Sequence, residues 1–192
     1  ACESGKPTYA AGEGIAICNA NNLQFNPLVR NDGSGGGMII WGDQRSGGSY
    51  GMYLQHLNTS GGLSLDSNGW ESFYGISTDA ASEPYQHDMV YMGDGSTMVY
   101  WQDNRDGKSK IYGSKINASF DGTSDIFSNE DINGDSLTSL PLAQDAPKAI
   151  LAGNNVFLSF KVEESPNENL YFQLLNIDLS PNGNATAIAD PS

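Results

Sequence analysis

Long apolar runs, basic residues, cysteines and histidines are all scarce in this 192-residue chain. No stretch reaches the roughly 18 consecutive apolar residues that a membrane-spanning helix needs, and residues 1 to 26 lack the charged and apolar regions of an export signal. The expectation is a chain with no membrane span, from which any export signal has been removed. Nine Lys+Arg stand against 23 Asp+Glu, a formal net charge of −14. Such a field repels phosphate backbones and anionic lipid surfaces, so nucleic acid is not the expected partner. The two cysteines, Cys2 and Cys18, are too few for a disulfide scaffold or a four-cysteine zinc site. They leave three readings open: a Cys2–Cys18 bridge, a packed Cys18 thiol, or a lipid attached at Cys2. The two histidines, His56 and His87, have no recurring serine or aspartate companions, so no nucleophilic triad is indicated.

What the chain does have is glycine, 23 residues, accompanied at regular intervals by Asn, Ser and Asp. This is turn chemistry repeated many times. Aligning the chain with itself shows why. Met38-Ile39-Ile40-Trp41-Gly42-Asp43-Gln44-Arg45 recurs as Met98-Val99-Tyr100-Trp101-Gln102-Asp103-Asn104-Arg105, a displacement of 60 from Trp41 to Trp101. Phe157-Leu158-Ser159-Phe160-Lys161-Val162 follows 59 further on (Trp101 to Phe160), with Val162 and Glu164 where Asp and Arg stood. Tyr53, Tyr112 and Tyr171 mark a second matching segment at intervals of 59. Upstream, Pro27-Leu28-Val29 is aligned with Asp88-Met89-Val90 and Pro147-Lys148-Ala149, each preceded by Gln24, Gln86 or Gln144.

Runs of four to eight residues rich in Val, Ile, Tyr, Phe and Trp, separated by Asp-Gly, Gly-Gly or Asn-Gly, read as antiparallel strands joined by hairpins. In the first unit they are expected over 27 to 31, 37 to 43, 50 to 57 and 70 to 77. The organisation expected is an N-terminal segment, 1–26, carrying an outer strand of a preceding unit at Gly14-Ile15, then units 27–86, 87–144 and 145–192. The tail near Ala185 supplies the last unit's fourth strand. Trp41 and Trp101 alternate in phase with Ile39 and Val99, which places them on a buried strand face. Asp43 with Arg45, and Asp103 with Arg105, leave the strand on one parity. They are expected to pair structurally, with a ligand-facing role as the alternative.

Gln24, Pro27, Asp32, Gly33, Gly35, Gly36, Trp41, Asp43, Arg45 and Tyr53, matched by Asp94, Gly95, Trp101, Asp103, Arg105, Ile111 and Tyr112, resemble the blade repeat of secreted Bacteroidetes-type β-propeller proteins. The third unit keeps Gln144, Pro147 and Tyr171, with Phe160 at the tryptophan position. The resemblance implies an all-β, propeller-like chain of about three four-stranded antiparallel blades, incomplete without further blades of a longer chain or other copies. It also implies a secreted or cell-surface protein of bacterial origin. It does not fix an activity, because such blades serve adhesion, glycan binding, scaffolding and catalysis alike.

The function expected is an exported, non-enzymatic binding or assembly module. A glycan-binding adhesin using the repeated Asp/Arg positions is the alternative, and a sialidase-like hydrolase the second alternative. The latter needs clustered arginines, and of Arg30, Arg45 and Arg105 two belong to the repeat. No catalytic or cofactor-binding residue is assigned. Asp-rich turns at Asp121, Asp125, Asp131 and Asp135 are candidates for calcium, whose ligands are loop carboxylates and carbonyls. Glu168 to Gln173 spells a viral-protease recognition sequence, yet it falls in register on a repeat strand and is read as native or coincidental.

Overall fold

The computed structural model describes residues 16–45, 51–63, 85–120, 125–129 and 133–188. These residues form strands and turns, arranged in three antiparallel sheets. Sheet A consists of β1 (Gln24–Asn31), β2 (Gly37–Asp43) and β3 (Gly51–Leu57) in that order. Sheet B runs β4 (Tyr85–Tyr91), β5 (Ser96–Asp103), β6 (Lys110–Phe120) and β7 (Asp125–Asn129), with β8 (Asp135–Ser136) also on β6. Sheet C runs β9 (Gln144–Ala152), β10 (Asn155–Glu164), β11 (Asn167–Asn176) and β12 (Thr186–Ala187). The strand pattern of the sequence is thus realised three times. The fourth strand of unit two is split between β7 and β8, and that of unit three is β12, where the tail was expected to supply it. The strand expected near 70 to 77 and the Gly14-Ile15 strand lie outside the described residues. No helix of the described residues is long and apolar enough to cross a membrane.

Register makes the repeat physical. Trp41 faces Tyr53, Trp101 faces Tyr112 and Phe160 faces Tyr171 across equivalent strand pairs. Cross-strand aromatic neighbours are a main source of sheet stability. The Trp41–Tyr53 and Phe160–Tyr171 rings lie stacked at centroid distances of 6.2 and 6.3 Å.

The sheets pack in series, and the core lies between them in two layers. Met38, Ile40, Met52 and Leu54 of sheet A meet Met89, Val99, Trp101, Tyr112 and Ile116 of sheet B. On the other side of sheet B, Met98, Tyr100, Ile111 and Leu137 meet Val156, Leu158, Phe160, Val162 and Leu175 of sheet C. Alternation along β5 therefore sends Val99 and Trp101 one way and Met98 and Tyr100 the other. Gly134 shows how close the packing is. Its φ of +67° is one that side chains resist, and an added Cβ would sit 2.5 Å from the Trp101 ring.

Among the described residues, sheet C is covered on one face only. β10 alternates strictly, with Val156, Leu158, Phe160 and Val162 buried. The opposite face leaves Phe157, Ile150 and Leu170 at 42%, 64% and 54% exposure.

Candidate functional site

The repeated Trp-x-Asp-x-Arg residues form a brace at one end of each of the first two sheets. Asp43 accepts from Trp41 Nε1 at 2.9 Å, from the Arg45 backbone N–H at 2.7 Å and from Arg45 Nη2 at 2.6 Å. The Arg45 guanidinium lies 3.8 Å over the Tyr53 ring. Unit two repeats this: Asp103 accepts from Trp101 Nε1 at 3.2 Å, the Arg105 N–H at 2.9 Å and Arg105 Nη2 at 2.5 Å, with Arg105 4.1 Å over Tyr112. Burial pushes the Asp43 carboxyl up, but the donors from Arg45 and Trp41 outweigh it and hold the pKa below its ordinary value. These contacts pair each Asp with its Arg inside the sheet end and fill the carboxylates, while Arg45 Nε is buried with no hydrogen-bond partner among the described residues. Unit three has lost the charge pair. Glu164, where Arg stood, instead accepts from the Tyr171 hydroxyl at 2.8 Å and from the Asn169 amide.

A second buried pair lies under the β1–β2 hairpin. Asp32 accepts from Ser34 and Gly36 and sits 2.7 Å from His56 Nε2, both side chains almost wholly buried. Burial raises the carboxyl's pKa, but hydrogen bonds from His56, Ser34 and the turn amides hold it down at about 2. This is a hairpin lock.

The more suggestive place is where β1, β4 and β9 lie side by side from sheet to sheet. Each of these strands carries a bulge near its start, and the first bulged residue has positive φ without being glycine: Asn26 at +50°, Gln86 at +47° and Ala146 at +52°. The spacing is 60 residues both times (26 to 86, 86 to 146), so the bulge belongs to the repeat. It corrects the alignment made from sequence. Pro27 corresponds to His87 and Pro147, and Leu28 to Asp88 and Lys148, a one-residue slip from the Pro27–Asp88 match. Gln86 likewise is the counterpart of Asn26, while Gln24 and Gln144 form their own pair opposite Asp43 and Val162. Bulged, left-handed residues cost of order 1–3 kcal/mol each and gather at functional sites.

The three bulges enclose a bowl of about 450 Å³ lined by Asn26, Pro27, Leu28, Gln86, His87, Ala146, Pro147 and Lys148. That is within the range of roughly 300–1,000 Å³ for small-molecule sites. Below it, Asp88 joins the three sheets. Its carboxylate accepts from Arg30 of β1 at 2.5 Å and from Lys148 of β9 at 3.2 Å, as well as from its neighbour's Met89 N–H. His87 is buried and donates Nε2–H to the Asn26 carbonyl at 2.7 Å. Desolvation holds its pKa below the usual value, so the ring is neutral. Its Nδ1 then carries a lone pair, and that atom is buried with no hydrogen-bond partner among the described residues.

Of the calcium candidates, Asp121 and Asp131 lie outside the described residues, Asp125 opens β7, and Asp135 lies exposed in β8. No group of three potential metal ligands occurs among the described residues. Cys2 is also outside them. Cys18 Sγ lies 3.1 Å from Arg45 Nη2, beside the first brace. The protease-like sequence occupies β11, paired on both sides.

No family model matches the chain, and no curated protein matches it. Among solved structures, the crystal structure of a "putative glycoside hydrolase" from Parabacteroides distasonis covers 88% of this chain and 75% of its own, at 10% identity and a TM-score of 0.34. A likeness at that level carries no argument about this chain.

Proposed function

We propose that this chain is a run of propeller-type blades serving as an exported, non-enzymatic binding module, with the bowl between β1, β4 and β9 as its binding seat. The observation that carries the reading is the bulge: three strands from three sheets hold the same strained backbone and converge on one concavity. The repeated Asp–Arg pairs are the lesser candidates, since their carboxylates are occupied within the brace. A binding role without chemistry is supported by Asp88, the carboxylate beneath the bowl. Arg30, Lys148 and the Met89 N–H occupy it, which leaves it poorly placed as a general acid or base. The test is an array of surface glycans, peptides and nucleotides probed with the chain and with Gln86→Trp, which plugs the bowl from an exposed position. Retention should disappear in the variant. Undiminished retention places the seat elsewhere, and turnover of a retained ligand ends the non-enzymatic reading.

One observation favours assembly as a second reading. The exposed Ile150, Phe157 and Leu170 give sheet C an outer face fit for another blade-like sheet, and three blades are fewer than the usual four to eight of a closed ring. A second copy supplying that sheet would make the mass seen by light scattering rise with concentration. A monomer of 20.5 kDa at every concentration defeats this reading.

A further inference from the structure

We infer that the bowl takes a neutral, polyhydroxylated ligand, a sugar unit, with one hydroxyl donating to His87 Nδ1. This rests on the bowl being the binding seat. The argument starts from the orphaned atom. The Asn26 carbonyl fixes the imidazole with its proton on Nε2, so Nδ1 can only accept. A buried acceptor without a donor is costly, and such groups in a folded protein call for an explanation. What lines the bowl beside it narrows the answer. Pro27, Pro147 and Leu28 give an apolar wall without charge, suited to the C–H face of a pyranose ring. Asn26 and Gln86 stand exposed at the rim, each with an amide that both donates and accepts, matching hydroxyls that do the same.

Charge argues for neutrality. Lys148, the cation of the bowl's lining, and Arg30 beside it share the Asp88 carboxylate, which offsets the positive charge an anionic ligand would need. The whole chain, at −14, repels anions. A cationic ligand would meet Lys148, whose side chain is 71% exposed.

The repeat supplies variants that keep the backbone. Pro27 and Pro147 hold the place of His87, and Ala146 holds that of Gln86 at nearly the same φ. His87→Pro and Gln86→Ala are therefore substitutions the fold already makes in its other units. The probes are neutral oligosaccharides of glucose, galactose, mannose and N-acetylglucosamine, set against uronic-acid and free-amine counterparts, titrated into the full chain. A neutral sugar should bind, about tenfold more weakly in either variant, as loss of one or two hydrogen bonds requires. With only two histidines in the chain, nitrogen NMR separates them: the His87 Nδ1 resonance should move on binding while those of His56 stay. Binding of charged sugars alone, weakened by Gln86→Ala, overturns the neutral-ligand inference and leaves the bowl as the seat. Neutral-sugar binding that both variants leave unchanged overturns the inference and the seat together. A silent Nδ1 resonance during bowl-dependent binding removes His87 from recognition, and no binding by any sugar overturns the sugar inference while the peptide and nucleotide probes still decide the seat.

Discussion

Strands β5 and β10 occupy the same place in their units, yet one is buried on both faces and the other on one. β5 reads Ser96-Thr97-Met98-Val99-Tyr100-Trp101-Gln102-Asp103 and is enclosed almost throughout. β10 alternates, and its outward positions carry Phe157, Ser159, Lys161 and Glu163. The substitutions follow the surroundings: Tyr100, packed against sheet C, becomes Ser159, and Gln102 becomes Lys161. A strand between two sheets must be apolar on both sides, whereas an end strand keeps the hydrophobic set only toward its neighbour. The polar brace tracks the same divide, complete around Asp103 and reduced to Glu164 with Tyr171 and Asn169 in the last sheet.

The largest expected effect comes from emptying the middle layer. Trp101→Ala should cost about 3–5 kcal/mol in denaturant unfolding, because the ring fills the space between sheets A and B under Gly134. Phe157→Ala, on the open face, should stay within about 1 kcal/mol. Equal losses at the two positions would mean that the outer face of sheet C is covered in solution.

Removing a brace comes next. Asp103→Ala strips the carboxylate from the largely buried Arg105, which keeps its bond to the Asn133 carbonyl, and takes the acceptor from the Trp101 Nε1–H, at a cost of about 3–5 kcal/mol. Glu164→Gln keeps an oxygen facing Tyr171 at a half-buried position and should change the unfolding midpoint far less. A matching loss at Glu164 would make the third unit's substitute as important as the original.

How much of this could be read from residues alone follows the same divide. Trp41, Asp43, Arg45 and their counterparts were legible because a brace needs those side chains in one order, and alternation gave the strand faces directly. The bowl was not legible as a site. Its repeated element is a backbone bulge, and backbone geometry accepts Asn26, Gln86 or Ala146 alike, so no residue type recurs to mark it. Proline at 27 and 147 is the one trace, since proline suits a bulge that needs no ladder hydrogen bond. His87 in the middle unit hid the correspondence and produced the one-residue slip.

The smallest effect separates the hairpins. Asp32 is buried and held at a pKa of about 2, whereas Asp94 in the next unit is 46% exposed and is lowered chiefly by Ser96. A carboxyl depressed in the folded state stabilises the fold above its unfolded pKa, about 3.9, and that contribution fades as pH falls toward the folded value. Acid titration of stability should therefore show a loss between about pH 4 and pH 2. Asp32→Asn should flatten most of it, with the neutral amide still able to accept from Ser34 and Gly36. Asp94→Asn should flatten less, because solvent already screens that carboxylate. If the two variants change the acid limb equally, burial beneath the first hairpin is not what sets Asp32 apart.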